Sequence, residues 1–521
     1  MDALADSLKV IADWITQHIT MWALIATGLF LTAVTRGVQV RHLPTMIRQV
    51  ASSRSGAAGG ISSFQAFAIS LAARVGVGNV FGVAAALLYG GPGAVFWMWV
   101  VALVGMATAF FEATLAQIFK VRAPDGSFRG GPAFYMARGM GGAGGRVMAG
   151  VFAVITLVTC GFIITSVQSN AVAGTLVAAL GGGEGSALPG FGGLSAAQLV
   201  VAGLVLVLTA VVVFGGIRAV ARVTEWMAPV MALIYIVLVA VVCLLNLGDF
   251  WRVIGRIISS AFAPEPLVGG LGGGVLAAVI NGTKRGLFSN EAGQGTAPNA
   301  AATATVAHPV QQGLIQSLGV FVDTIVVCTA TAFVILIAGP DTWTAPGANP
   351  STLTTLAIAR GLGGWTVLPM AVLIFVLAYS SIIAAYVYTD VNMDYLTGGR
   401  RWASWTVRVV SVASATAGAV LSLDVVWNAV DIAMAVMTLT NLVALIRLHR
   451  WGAGALRDYE DQLRAGAAEP VFRGRDNPRL PGDVPGGVWS SSDDDVTAAD
   501  ADDGSAPAPP AASPAPATTE E

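Results

Sequence analysis

Long apolar runs recur along this chain, and their length restricts what it can fold into. About eleven of them are long enough to cross the hydrocarbon core of a bilayer as helices. They lie near residues 18–36, 61–89, 92–119, 147–180, 197–215, 223–247, 267–290, 311–338, 364–395, 404–421 and 425–447. The runs are continuously apolar, which favours helices over a β-barrel of alternating strands. Because 55% of residues are hydrophobic and only 11% are charged, we expect an all-α polytopic membrane protein.

Composition also argues against several other classes of protein. Cys160, Cys243 and Cys328 all fall inside predicted spans, where cysteine acts as a small apolar side chain rather than as part of a disulfide framework or metal site. The formal net charge of -2 gives no indication of nucleic-acid binding. The N-terminal segment begins with acidic residues and lacks a positive region, so we expect no cleavable signal peptide.

Lysine and arginine are concentrated in every second loop. The basic positions are Arg36, Arg41, Arg48 and Arg54; Lys120, Arg122, Arg129, Arg138 and Arg146; Arg218 and Arg222; Lys284 and Arg285; Arg400 and Arg401; and Arg447, Arg450, Arg457 and Arg464. Arg252 and Arg256 do not follow this alternation, because they lie between the sixth and seventh predicted spans, on the opposite side from the basic loops. The positive-inside rule predicts a cell-membrane protein with its N-terminus outside and its C-terminus in the cytoplasm.

The composition changes after about residue 451. The chain ends in an acidic sequence rich in proline and alanine, "SSSDDDVTAADADDGSAPAPPAASPAPATTEE". Such a sequence buries too little apolar surface to offset the loss of chain entropy. We therefore predict that residues 451–521 form a disordered acidic cytoplasmic tail.

The second predicted span is interrupted by the sequence "ARVGVGN", which covers Ala73 to Asn79. Glycines and an asparagine inside a span leave backbone groups without helical partners, which is costly in hydrocarbon unless other groups satisfy them. Freed N–H groups at the start of a half-helix suit a carboxylate, and freed carbonyls suit a small cation. Close helix packing is the alternative role for Gly76 and Gly78.

A second interruption lies at a comparable place in the second half of the chain. The seventh predicted span contains "INGTKRGLFSNEAGQGTAPN", in which glycine and polar residues break the apolar pattern. Two matched breaks indicate inverted repeats around a central binding site, as in alternating-access transporters. The predicted parts are an accessory helix with a basic loop (1–60), a first repeat (61–247), a second repeat (248–450) and the tail (451–521).

Several stretches resemble the alanine or glycine:cation symporter family of prokaryotes. They include "GVGNVFGVAAALLYGGPGAVFWMW", "GGPAFYM", "GGIRAVARVTEWMAP" and "KRGLFSNEAGQGTAPNAAATA". The resemblance covers roughly residues 15–450. It implies a leucine-transporter-type core of five plus five helices, preceded by one extra helix. It also implies uptake of a small neutral amino acid such as alanine or glycine, driven by Na+ or, less often, by H+.

The resemblance also implies a substrate site. The backbone amides of Val77 and Gly78, in the stretch that begins at Gly76, would hold the substrate carboxylate, with the side chain of Asn79 beside the substrate or an ion. Gln168 would contact the substrate, although an interhelical hydrogen bond is an alternative role. Phe288 would form an apolar wall, for which core packing is the alternative.

The resemblance further implies a sodium site. Its ligands would be the carbonyls of Ala72 and Val75 and the hydroxyls of Ser380 and Ser381. Several hard oxygen ligands are what a dehydrated alkali cation requires. The alternative for the two serines is hydrogen bonding to their own helix.

Two positions depart from the family pattern. The family more usually has a hydroxyl residue where Val77 stands, and a Gly-Trp pair where Ala384 and Ala385 stand. Both changes remove polar or aromatic groups from the expected pocket, so substrate preference is expected to extend to larger side chains. A symporter for a larger neutral amino acid or another small solute is therefore the alternative function.

Two other classes of membrane protein are disfavoured by the residues. An ion channel would need repeated polar rings along a pore, and the spans carry none. An intramembrane enzyme would need a cluster of catalytic residues or a nucleotide-binding loop, and "GVG" and "GQG" lack the flanking strand and lysine of such a loop. The expected partners are thus a small neutral amino acid, sodium and membrane lipid, with no nucleic acid.

Overall fold

A computed structural model describes residues 2–52, 61–123, 126–179, 194–263, 274–345, 348–420 and 424–489. These residues are mainly helical. Two short strands, β1 (Val121–Arg122) and β2 (Phe128–Arg129), pair antiparallel with Val121 opposite Arg129.

The N-terminal part and the first half of the core contain twelve α-helices. In chain order they are α1 (Asp2–Ile15), α2 (Met21–Val34), α3 (Val38–Arg41), α4 (Leu43–Ser52), α5 (Ser63–Arg74), α6 (Val83–Gly90), α7 (Gly93–Ile118), α8 (Pro132–Gly139), α9 (Gly142–Val158), α10 (Thr165–Ala179), α11 (Ala196–Val213) and α12 (Gly216–Leu245). Wider π-helical segments join three pairs of neighbours, at Thr16–Thr20, Gly78–Gly82 and Thr159–Ile164.

The second half of the chain contains the remaining described α-helices. They are α13 (Phe250–Ala261), α14 (Gly274–Asn290), α15 (Ala297–Ala301), α16 (Pro309–Val320), α17 (Thr329–Ile337), α18 (Pro340–Trp343), α19 (Pro350–Leu362), α20 (Val367–Thr397), α21 (Arg401–Val420) and α22 (Asp424–Arg464). A π-helical segment, Phe321–Cys328, joins α16 to α17. Short 3-10 turns lie at Leu247–Asp249, Gly364–Thr366 and Gly487–Trp489.

The structure has helix at all eleven of the predicted spans. Eight helices within the described residues are long and apolar enough to cross a membrane. A ninth candidate span is the pair Ser63–Arg74 and Gly78–Gly90, which is bent by 45°. The two other predicted spans coincide with α14, which has 17 residues, and with α21, which has 20.

Capping boxes mark where three of the spans begin, at α5, α11 and α16. Ser62 accepts a hydrogen bond from the amide of Gln65 (3.1 Å), and the Gln65 side chain accepts one from the amide of Ser62 (3.0 Å), at the start of α5. Ser195 and Gln198 repeat the arrangement at the start of α11. Each box satisfies two amides that the first helical turn would otherwise leave unpaired.

The interrupted helices lie at the centre of the bundle. Helix α7 packs against α14 and α16, and α20 packs against α5 and α10. The side chains of α5 and α6 are almost all buried. By contrast, α11 and α12 expose large apolar side chains such as Val211 (73%) and Trp226 (74%), as expected of lipid-facing helices.

Two cations that we counted near the end of the seventh span lie within a helix there. Lys284 and Arg285 are inside α14, which continues to Asn290 before it ends. Lys284 pairs with Asp13 of α1 and lies 3.4 Å from Asp431 of α22, and Arg285 lies at the same distance from Asp431. Their ion pairs connect α14 with α1 and α22.

The predicted disordered tail begins too early in the chain. Helix α22 continues to Arg464, and the following segment, residues 465–489, packs against the helical bundle. Phe472 and Val484 are each only 4% exposed, the amide of Phe472 donates to the carbonyl of Ala307 (3.0 Å), and the indole of Trp489 donates to the carbonyl of Gln117 (3.1 Å). The prediction was wrong for residues 451–489 because large apolar residues persist to Trp489. Residues 490–521 lie outside the described residues.

We predict that Phe472 holds segment 465–489 in place. Replacing it with alanine removes a buried ring, which costs about 3 kcal/mol or more, so trypsin should cleave at Arg473, Arg475 and Arg479 roughly a hundredfold faster. Limited proteolysis of the purified protein measures this rate. The matched control is Val471→Ala, since Val471 is 58% exposed. Equal cleavage rates in the two variants would contradict the packing role.

Candidate functional site

The first interruption separates α5 from α6. Helix α5 ends at Arg74, Val75 leaves the helical conformation (φ -78, ψ 76), and a π-helical turn begins at Gly78. Gly76 lies against α20, since a Cβ built on it would be 2.3 Å from the Ser381 hydroxyl oxygen. Only glycine lets the broken backbone approach α20 this closely.

Side chains from two places satisfy the amides at this break. The amide of Gly76 donates to the Asn79 side-chain oxygen (3.0 Å), and the amide of Val77 donates to the Gln168 side-chain oxygen at a long 3.4 Å. Gln168 lies on α10 and is 4% exposed. The structure therefore brings Gly76, Val77, Asn79 and Gln168 together, as the resemblance implied.

The second interruption lies between α14 and α15. Gly293 (φ 92) and Gly295 (φ 81) adopt the left-handed conformation that glycine tolerates best, and Glu291 (φ 55) adopts it as well. The amides of Gly293 and Gly295 donate to the Glu112 carboxylate at 3.2 and 2.8 Å. The Asn441 side chain of α22 donates to the same carboxylate (2.6 Å). The buried side chain of Glu112 thus joins α7 to the second break and to α22.

The two interruptions face each other. A Cβ built on Gly78 would be 3.1 Å from the ring of Phe288 and 3.2 Å from the Cα of Ser289. Phe288 is 8% exposed, and its ring packs beside the first break. Ala385 (3% exposed) lies one turn after Ser381 on α20, and residues four apart share a helix face.

Hydroxyl and carbonyl oxygens gather where α5 ends. The Ser380 hydroxyl donates to the carbonyl of Ala72 at 2.9 Å. The Ser381 hydroxyl lies 3.0 Å from the carbonyls of both Ala72 and Ala73. Val75 is buried in the break, but no described contact joins its carbonyl to either serine. The carbonyl of Ala73 is a further oxygen of this group, and the sequence analysis did not identify it.

The serines also contact their own helix. Ser380 donates to the carbonyl of Leu377 at 2.7 Å and Ser381 lies 3.3 Å from it. The alternative of hydrogen bonding within α20 is therefore present alongside the contacts to α5. Sodium prefers hard oxygen ligands, and this group of buried hydroxyls and carbonyls offers that chemistry.

A polar cluster around Asp323 was missed by the sequence analysis as part of the site. The carboxylate of Asp323 accepts hydrogen bonds from Asn79 (2.6 Å), Ser289 (2.7 Å) and Thr324 (2.8 Å). Asp323 is fully buried. It therefore links the first break, α14 and the π-helical segment Phe321–Cys328. An acidic residue within an apolar span was the signal that could have identified it.

Arg74 and Glu291 are further buried charges near the breaks. One guanidinium nitrogen of Arg74 donates to the carbonyl of Gln316 (3.1 Å), and its other nitrogens have no hydrogen-bond partner among the described residues. Glu291 accepts from the hydroxyls of Thr296 (2.8 Å) and Tyr388 (3.4 Å).

A cavity opens beyond the site along α20. It has a volume of about 530 Å³ and includes Tyr386, Asp390 and Asp394 of α20 in its lining. Ile61, just before α5, and Thr303, just after α15, also line it. The cavity thus lies next to both interrupted helices, at one end of the bundle.

Comparison with known proteins supports a transporter. The model of the sodium:alanine symporter family matches residues 1–474. The amino-acid carrier protein AlsT of Bacillus subtilis is 40% identical over 482 residues, which cover 92% of this chain and 97% of AlsT. The probable sodium/glutamine symporter GlnT of Bacillus subtilis is 38% identical, covering 88% and 91%. The sodium/alanine symporter AgcS of Methanococcus maripaludis is 36% identical, covering 82% and 90%.

A solved structure supports the fold. The crystal structure of MhsT in complex with L-phenylalanine matches with a TM-score of 0.54 and 15% identity, covering 76% of this chain and 91% of that chain. The expected leucine-transporter-type architecture is confirmed.

We predict that Gly76→Ala lowers the melting temperature of the purified protein, because the new Cβ overlaps the Ser381 hydroxyl and overpacking costs about 1 to 3 kcal/mol. Adding Ser381→Ala should restore stability, since the Ser381 Cβ lies at an acceptable 3.4 Å. Gly174→Ala on α10, where a Cβ meets nothing within 4 Å, is the control. A double variant no more stable than Gly76→Ala would refute this contact.

Proposed function

The chain belongs to the sodium:alanine symporter family, a family of membrane transporters rather than enzymes, and we propose that it carries a small neutral amino acid into the cell together with sodium. The observation that supports this most directly is the meeting of three elements: the two interrupted helices and the paired serines of α20. Protons are the alternative coupling ion, because one relative is named a sodium/proton-dependent alanine carrier.

The substrate site lies at the first break. The amides of Val77 and Gly78 bind the substrate carboxylate, and Gln168 turns from the Val77 amide to the substrate. The long 3.4 Å contact between Gln168 and Val77 supports this exchange, because it is weaker than a bond to a charged acceptor. Gly76 lets the backbone of the break approach α20. Asn79 stabilises the break because its side chain accepts from the Gly76 amide and donates to the Asp323 carboxylate.

The apolar part of the substrate lies between two walls. Phe288 forms one wall, at Gly78, and Ala385 belongs to the other. A small residue at Ala385 leaves volume for a side chain larger than a methyl group. A neutral amino acid larger than alanine is therefore the second candidate substrate. The relative GlnT is named a probable sodium/glutamine symporter, which agrees with this candidate.

The sodium ion binds as co-transported cargo between α5 and α20. Its ligands are the carbonyls of Ala72 and Val75 and the hydroxyls of Ser380 and Ser381. The hydroxyls of Ser380 and Ser381 donate to carbonyls of α5. A sodium ion between them would accept lone pairs from both the hydroxyl and the carbonyl oxygens and so take the place of these hydrogen bonds. Binding then joins α5 to α20 more strongly than two neutral hydrogen bonds do.

The orientation follows from charge. We place the N-terminus outside and the C-terminus in the cytoplasm, because arginines crowd the ends of α2 and α22. The cavity beside Tyr386 and Asp390 then opens toward the cytoplasm and serves as the route by which substrate leaves the site.

We predict that purified protein in liposomes accumulates labelled alanine only when an inward cation gradient is imposed. Ser380→Ala combined with Ser381→Ala should raise the sodium concentration for half-maximal uptake roughly tenfold or more, because two ligands to a charged ion are lost. Sodium and proton gradients imposed separately identify the coupling ion.

The control variant is Ser411→Ala. Its hydroxyl is also buried but has no hydrogen-bond partner among the described residues, so it should leave sodium dependence unchanged. Equal uptake with and without gradients would refute symport. An unchanged sodium dependence in the double variant would exclude the two serines from the ion site.

We further predict that alanine uptake is inhibited by valine- and serine-sized amino acids, and that Ala385→Trp narrows this range to glycine and alanine. Each methylene accommodated in an apolar pocket is worth about 1 kcal/mol, which sets the expected discrimination. Competition assays with a side-chain series measure the range, and Ala385→Ser, which changes little volume, is the control. A profile already limited to alanine and glycine, and unaffected by tryptophan, would show that another group closes the pocket.

A further inference from the structure

An apolar groove follows the contact between α2 and α22. It has a volume of about 440 Å³ and includes Ala26 and Phe30 of α2 and Leu439, Val443 and Ile446 of α22 in its lining. Both helices belong to candidate membrane spans. Phe30 (39% exposed) and Val443 (47% exposed) present their side chains outward. The groove therefore faces the hydrocarbon of the membrane.

A second cavity lies further along the same two helices. It has a volume of about 300 Å³, and its walls include Val34 at the end of α2 and Ala453 and Leu456 of α22. Its charged lining consists of Arg36, Arg41, Arg457, Arg464 and Arg479, with Glu460 and Asp461. An apolar groove and a basic cavity thus share one helix pair.

The basic cavity carries more positive charge than its own carboxylates balance. Five guanidinium groups face two carboxylates, an excess of three positive charges. Glu460 pairs with Arg41 and Arg464, and Asp461 pairs with Arg464 and Arg479. No described ion pair involves Arg36 or Arg457. An anionic ligand would complete this charge balance.

The spacing of the two cavities matches a phospholipid. From Phe30 to Val34 is one helical turn, and from Ile446 to Ala453 is seven residues, which correspond to about 6 and 10 Å of helix. The headgroup layer on each side of a bilayer is about 5 to 8 Å thick. A phosphate in the basic cavity would therefore lie one headgroup layer beyond an acyl chain in the groove.

We propose that the seam between α2 and α22 binds one anionic phospholipid. Its phosphate occupies the basic cavity next to Arg36 and Arg457, and one acyl chain occupies the groove across Ala26 and Val443. Basic pockets between membrane helices suit anionic headgroups. The bound lipid joins the accessory helix to the last helix of the core.

The test measures binding of phosphatidylglycerol to the purified full-length protein. Native mass spectrometry and melting temperature in detergent are followed as phosphatidylglycerol or phosphatidylcholine is added. We expect phosphatidylglycerol to bind and stabilise, and phosphatidylcholine to do neither. Arg36→Gln with Arg457→Gln should weaken phosphatidylglycerol binding roughly thirtyfold, because each basic residue contributes about 1 kcal/mol.

A matched control separates this site from general surface charge. Arg146→Gln with Arg400→Gln removes two exposed arginines outside the seam and should leave binding unchanged. Equal loss in both double variants, or no loss in either, overturns the proposal.

Two further arms distinguish a lipid from a free anion. Ala26→Trp fills the groove at an exposed position and leaves the arginines in place, so it should also weaken phosphatidylglycerol binding. Inorganic phosphate should not reproduce the stabilisation at the same concentration. Full stabilisation by phosphate, or undiminished lipid binding in Ala26→Trp, would reduce the site to an anion site and overturn the lipid proposal.

Discussion

The fold depends on satisfying backbone groups where two helices are broken inside a membrane. Hydrocarbon offers no hydrogen-bond partner, so side chains of the protein must complete each break. The first break uses neutral amides, Asn79 and Gln168, and the second uses the carboxylate of Glu112. Gln168 of α10 and Glu112 of α7 come from other helices, so hydrogen bonds tie α10 to the first break and α7 to the second.

The two breaks are held with different strength. Glu112 accepts from two amides of the second break and from Asn441, and bonds to a charged acceptor are about twice as strong as neutral ones. The Val77 amide of the first break has only a 3.4 Å contact to Gln168. The weakly held Val77 amide at the first break is therefore the one that our proposed substrate carboxylate would take over from its side-chain partner. Both breaks contain amides that lack helical partners. The weaker partner at the first break supports our proposal that the substrate binds there.

Sequence reasoning located what is local and missed what depends on which helices meet. Apolar runs and glycines identified the spans and both breaks, and the resemblance paired Ser380 and Ser381 with Ala72. Asp323 was not assigned to the site, because nothing in its own span indicates that Asn79 and Ser289 lie opposite. The tail boundary was misplaced for a similar reason: the acidic composition of the last residues obscured Phe472, which packs against His308 and bonds to Ala307, both more than a hundred positions away in the chain.

The π-helical segments connect sequence to the shape of the centre. Such segments occur frequently at functional sites, and two of the four described ones, Gly78–Gly82 and Phe321–Cys328, lie at the first break. Each wider turn frees a carbonyl, and a threonine five residues on can bond to it: Thr165 donates to Cys160 (2.8 Å) and Thr329 to Thr324 (3.4 Å). The π-helical segment Phe321–Cys328 contains Asp323, whose carboxylate accepts a hydrogen bond from Asn79 of the first break (2.6 Å). This π-helical segment therefore meets the first break through a side-chain hydrogen bond that the apolar pattern alone does not indicate.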